Sequence, residues 1–228
     1  MTPHKMSAVV LILLTGAVPV ALLSGCGREY MPAVQAHGGG SGPVTISKMG
    51  GDIDVADAPQ GANLNTMGGG IHVGNAGASV QAKTMGGDIA VDRVNGSVDA
   101  ATMGGKIRIG EANGAVKATT MAGDIKVRVV GSSTSERDIE LSSNSGTIEL
   151  TVPKDFPMDV KITLAYTKNS ARNYQVVDSI GLIQQTTDDW DLSHGSPRKY
   201  IRAKGRVGSG LNHVVIKTIN GDVILKRE

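Results

Sequence analysis

Five methionines, Met49, Met67, Met85, Met103 and Met121, stand 18 residues apart along the chain. A thioether can ligate a soft ion such as cuprous copper, be oxidised to a sulfoxide, or offer an adaptable apolar contact. Among these functions a binding surface leads. A plainer reading outweighs all three: a corner turns the methionines inward, or a later segment covers them. Other chemistry-bearing residues are sparse. Asp52, Asp88 and Asp124 share one repeat position, but Gly70 and Lys106 interrupt them, so adjacent repeats never both carry an acid. Their expected role is corner capping, not a metal stripe. His37, His72, His194 and His213 show no metal-ligand spacing, and no Gly-x-Ser-x-Gly nucleophile motif occurs. The expectation is therefore no catalytic residue, no metal, no cofactor and no enzyme.

The elements that position these residues follow from the repeat itself. Lys48-Met49-Gly50-Gly51 is followed in register by Thr66-Met67-Gly68-Gly69, Thr84-Met85-Gly86-Gly87, Thr102-Met103-Gly104-Gly105 and Thr120-Met121-Ala122-Gly123. Five repeats without insertion mean one unit stacked on itself. Counting from the residue before each Met, the sixth position is Ile53, Ile71, Ile89, Ile107 and Ile125. The eighth is Val55, Val73, Val91, Ile109 and Val127. Two β-branched residues around one mostly polar residue predict a short strand with one buried face. A second strand holds Ala62, Val80, Val98 and Val116, then Leu64, Ala82, Ala100 and Ala118, with Asn63, Gln81, Asp99 and Lys117 pointing outward between them. The same parity continues through Thr66, Thr84, Thr102 and Thr120, which are read as inward and structural, and places each Met outward.

One such turn cannot bury enough to stand alone, so strands of neighbouring turns must pair about 4.8 Å apart. The predicted fold class is all-β: a single-stranded parallel β-solenoid with 18-residue, two-strand coils and a C-terminal β insertion or cap. A left-handed hexapeptide helix is excluded because six residues after Ile89 stands Asn95. A calcium β-roll is excluded because Val91 occupies the position of its ligand Asp. Beyond the fifth coil the period slips by an insertion around Gly131 to Arg137, and Ser143 to Leu150 forms a further turn. Val160, Ile162 and Leu164 alternate as in a strand. Tyr174 to Val177 and Leu182 to Gln185 are expected to pair as a hairpin over Asp178 and Ser179, packing against the coil or capping one end.

The N-terminus reads as a targeting segment. His4 and Lys5 precede an uncharged run from Met6 to Leu23, and Leu23-Ser24-Gly25-Cys26 looks like a bacterial lipobox. Residues 1–25 are then a signal peptide, Cys26 is the lipid attachment site, and residues 26–42 are a flexible tether ending in Gly38-Gly39-Gly40-Ser41-Gly42. The folded domain is 43–228. Cys26 is the only cysteine, so no intramolecular disulfide can form. Gly27, where an Asp would resemble an inner-membrane retention signal, favours the outer membrane in a cell that has one. A net charge of +2 predicts no nucleic-acid partner.

Val80-Gln81-Ala82-Lys83-Thr84-Met85-Gly86-Gly87-Asp88-Ile89-Ala90-Val91 resembles the V-x-A-x-T-x-x-G-D-I-x-V unit of the bacterial toastrack-like, adhesin-type β-strand-repeat domains. Gly195 to Leu225 is similar to that family's closing coil, and the resemblance covers 44–228. It implies the solenoid architecture and leaves activity open, because the family has no established general chemistry. The departures are the Met in every turn and the doubled Gly. The expected function is a membrane-anchored envelope lipoprotein whose non-catalytic solenoid binds or scaffolds envelope proteins or polysaccharide. The alternatives are an enzyme acting on an envelope glycan and a Met-ladder soft-metal or redox buffer.

Overall fold

The structure, a computed structural model, describes residues 34–37, 42–131, 136–170, 173–193 and 195–228. The leader, Cys26, His194 and most of the expected tether lie outside the described residues, and for Val34–His37 the backbone alone is described. Nineteen strands and no helix are present among the described residues.

The chain alternates between two facing sheets. It runs through β1 (Val34–His37), β2 (Val44–Lys48), β3 (Ile53–Ala58), β4 (Ala62–Thr66), β5 (Ile71–Ala76), β6 (Val80–Lys83), β7 (Ile89–Val94), β8 (Val98–Thr102), β9 (Ile107–Ala112), β10 (Val116–Thr120) and β11 (Ile125–Val129). From β2 onward to this point, even strands stack in one sheet and odd strands in the other, all parallel. Ile53, Ile71, Ile89, Ile107 and Ile125 pair in succession, as the predicted register requires. Part of the stretch read as a tether is folded. β1 pairs with β3, Val34 opposite Ile53, so strand pairing starts before residue 43.

The core fills the gap between the sheets. Ile53, Val55, Leu64 and their equivalents are essentially fully buried. Each odd strand also buries a third residue that alternation alone does not predict: Ala58, Ala76, Val94 or Ala112. Two outward residues precede it, as in Ala56-Asp57, so the inward face resumes where the chain bends toward the corner.

After the insertion come β12 (Asp138–Ser143) and β13 (Ile148–Val152), which restore the register with Ile148 opposite Ile125. Then follow β14 (Met158–Thr167), β15 (Val176–Asp178), β16 (Ile183–Thr186), β17 (Arg198–Val207), β18 (Asn212–Ile219) and β19 (Val223–Arg227). Chain order and stacking order part here. The last coil, β18 and β19, stacks directly on β12 and β13, and β14 and β15 lie beyond it. The long antiparallel pair β14 and β17, flanked by β16, completes the even sheet and caps the stack.

The expected hairpin does not form. Val176 pairs with Val223 in the odd sheet, whereas Ile183 pairs with Lys204 in the even sheet. Asp178 causes the divergence: its Oδ1 accepts N–H bonds from Ile180, Gly181 and Leu182 at 3.1, 2.6 and 3.0 Å. That turn carries the chain from one sheet to the other. Val160, Ile162 and Leu164 are buried on β14, as their alternation predicts.

Candidate binding surfaces along the coil

The corner from even to odd sheet is built by four residues with separate tasks. Thr66, Thr84, Thr102 and Thr120 are buried, and each hydroxyl donates to the second glycine's carbonyl in the preceding coil. Thr102 Oγ1 donates to Gly87 at 2.9 Å and accepts from Gly105 N at 3.2 Å, so one hydroxyl ties two coils together. Ser143 and Thr218 repeat the contact in the later coils. In the first coil Lys48 takes the Thr position. It is buried, donates Nζ to the Asp52 carbonyl at 2.5 Å, and desolvation pulls its pKa below the usual lysine value against the attraction of Asp52.

The second glycine is a steric requirement. A Cβ at Gly69, Gly87 or Gly105 would lie within 2.2 Å of the carbonyl oxygen of the corresponding glycine one coil earlier. The first glycine is not required: at Gly50 a Cβ meets nothing, and at Gly68, Gly86 and Gly104 only backbone atoms at ordinary contact distance. Ala122 occupies that position in the fifth coil.

The methionines point outward. Met49 is 64% exposed and Met67, Met85, Met103 and Met121 are 48–50% exposed. Neither an inward corner nor the late insertion covers them. In the next two coils Asn144 and Ile219 follow the in-register residues Ser143 and Thr218, so the row of sulfur ends after five.

The aspartates cap the next coil, not their own. Asp52 Oδ1 accepts from Gly70 N, Asp88 from Lys106 N and Asp124 from Thr147 N, at 2.7–2.9 Å. This accounts for the alternation seen in the sequence. An acid above an acid would set two carboxylates about one strand spacing apart.

The two outer faces differ. On the odd sheet, charges pair across coils. Arg93 Nε meets Glu111 at 2.8 Å, Arg128 meets Glu228 at 2.9 Å, and Lys126 and Lys226 both reach Glu149, at 3.1 and 2.8 Å. The Lys226 bond, opposed by partial desolvation and aided by Lys126, holds Glu149 below the usual carboxylate range. His72 bridges Asp54 and Asp92, at 3.1 Å each. Desolvation pulls the His72 pKa down, but the hydrogen bonds and charges of both aspartates prevail, and the net shift is upward. Among the described residues the even sheet has fewer such pairs: Lys117 lies 3.5 Å from Glu140 on the next coil, and His213 of β18 lies 3.4 Å from Glu136.

The outer face of the even sheet carries an open groove of about 550 Å³. Its floor is the in-register line Asn63, Gln81, Asp99, Lys117 and Glu140, and Ser79 and Ser97, their hydroxyls 2.9 Å apart, form one wall. The outward positions were legible in the sequence. That they line a groove together with Ser79 and Ser97 was not. Among the described residues no group of three His, Cys, Asp or Glu could hold a metal ion.

The profile of the Toastrack DUF4097 family matches residues 30–188, which is most of the chain. No curated protein and no solved structure matches it. With its stacked parallel coils and this match, the chain belongs to the Toastrack family, bacterial domains to which no function is assigned.

Proposed function

We propose that this protein is a lipid-anchored envelope protein whose Toastrack solenoid is a non-catalytic binding and scaffolding module. In this reading the signal peptide is cleaved before Cys26 and the acylated Cys26 holds the domain at a membrane, the outer one in a cell with two. Each buried acyl methylene contributes roughly 0.8 kcal/mol, so several chains on one residue anchor firmly. The partner is an envelope protein or polysaccharide. The observation that carries the binding reading is the unbroken row of five exposed methionines. Each coil offers the same weak contact, and an extended ligand sums them. In support of a non-catalytic role, the groove residues stand one per coil in a line instead of converging on a point.

The test is capture from envelope extracts with the full-length chain, comparing wild type with a Met67→Ser, Met85→Ser, Met103→Ser variant. Reduced recovery of the wild-type partner supports the Met row as the site, and equal recovery retires it. Separately, Cys26→Ser is expected to move the protein from the membrane to the soluble fraction. Release of product from envelope glycans, abolished by Asp99→Asn, would replace the scaffold reading with the enzyme.

A further inference from the structure

We infer that the Met row is a site for soft monovalent cations of the cuprous or silver type, each ion held between the thioethers of two adjacent coils. The inference rests on the reading above only in taking this row as the functional surface; it names the ligand class.

The first argument is the contrast between positions that diverged and one that did not. The outward residue between the two buried β-branched positions is Asp54, His72, Ala90, Arg108 and Lys126, five different types in five coils. The coils have therefore drifted apart in sequence. The exposed corner residue is Met in all five. Exposed apolarity alone does not demand sulfur, since Leu or Ile would supply it. Some buried positions of the second strand do interchange, with Leu64 opposite Ala82 and Ala62 opposite Val80.

The second argument is geometry. Successive corners stack directly: a Cβ on Gly86 would be 3.8 Å from the Met67 carbonyl oxygen, one on Gly104 3.7 Å from that of Met85, and Ala122 N donates to the Met103 carbonyl. Neighbouring methionines thus rise by one strand spacing, about 4.8 Å. Two metal–sulfur bonds, each about 2.3 Å on the scale of zinc–thiolate bonds, laid end to end come close to that distance. The rise between adjacent corners is therefore of the order that a two-coordinate soft ion bridging two thioethers requires.

The third argument is the setting. The first glycine of the first four corners has no steric reason to be glycine, and it leaves bare backbone beside Met49, Met67, Met85 and Met103. Asp52, Asp88 and Asp124 follow within the same corners as Met49, Met85 and Met121, while Lys48 and Lys106, the latter 4.0 Å from Asp124, leave the row in a setting of mixed charge. Thioether donors select soft ions over zinc, calcium or magnesium.

The experiment is titration of the full-length chain in detergent with silver(I), a soft ion that does not change oxidation state, read by NMR of 13C-labelled Met methyls. The five exposed Met signals are expected to shift at submillimolar silver, and buried Met158 is expected to stay in place. Two variants then hold the sulfur count equal and change only adjacency. Met67→Leu with Met103→Leu leaves Met49, Met85 and Met121, none on neighbouring coils. Met49→Leu with Met121→Leu leaves three consecutive thioethers. The first pair is expected to bind silver about tenfold or more weakly than the second. Equal binding by both, or no methyl shift up to about millimolar silver, overturns the proposal. Leu keeps the row apolar, so partner capture that survives Met67→Leu with Met103→Leu while silver binding fails separates the two readings.

Discussion

The inner and outer lines of the corner are one or two residues apart in sequence and differ in every physical demand placed on them. The inner line, Thr102 and Gly105 in one coil, is buried, bonded to the coil before it and sterically closed. The outer line, Met103 and Gly104, is exposed, Met103 by about half its surface, and a Cβ on Gly104 would meet backbone only at ordinary contact distance. Both lines repeat equally well. Repetition alone therefore does not separate residues that hold the stack together from residues the stack presents. Packing does, and it assigns the inner line to stability and leaves the outer line for recognition.

That contrast can be broken or sharpened by mutation. The largest effect is expected from Gly87→Ala, whose Cβ would sit 2.2 Å from the Gly69 oxygen. The coils must separate, at a cost of about 3 kcal/mol or more, read as a fall in the urea midpoint. Thr102→Val keeps the volume but leaves the buried Gly87 carbonyl and Gly105 N–H without their hydroxyl, for a loss of about 1–2 kcal/mol by the same measurement.

The odd-sheet face should respond less, and through pH. His72 binds its proton more tightly folded than unfolded, because Asp54 and Asp92 face it from the coils on either side. Its contribution is fully present below the ordinary histidine value of about 6.5 and is lost as pH rises through the higher folded value. All three side chains are substantially exposed. Solvent screening therefore limits the effect to below about 1 kcal/mol. The stability difference between wild type and His72→Gln should be larger at about pH 5.5 than at about pH 8.5. The smallest effects belong to the outer line. Gly86→Ala and Met85→Ser should each change stability by less than about 0.5 kcal/mol. A large loss from either would place the outer line in the fold and remove the ground for reading it as a presented surface.

Much of this was legible before any coordinates. The inward Ile and Val lines and the inward Thr line follow from an alternation of two and a period of 18, and the structure places them so. Parity put the Met line outward, but the weightier reading had a corner or a later segment cover it, and the exposure of the methionines corrects that reading. The aspartates were correctly read as caps, but not as caps of the next coil, because that depends on the axial offset between corners. Ala58 and its equivalents escaped because two outward residues break the alternation before them. Val176 and Val177 were assigned to a hairpin with their near neighbours in sequence. They pair instead with the odd-sheet edge offered by β19, which is made by the last residues of the chain.

By itself the sequence determined the coil, its register and which side chains face in or out. A parallel in-register stack places identical positions on one another, so a short local pattern is enough to specify a long-range pairing. Tertiary structure alone decided where the closing coil enters the stack, which edges the last strands cover, and that the even face is hollowed into a groove. The first two depend on which backbone edge remains unpaired once the repeats have stacked, and the groove depends on how the side chains of successive coils stand beside one another, and no residue carries that information locally.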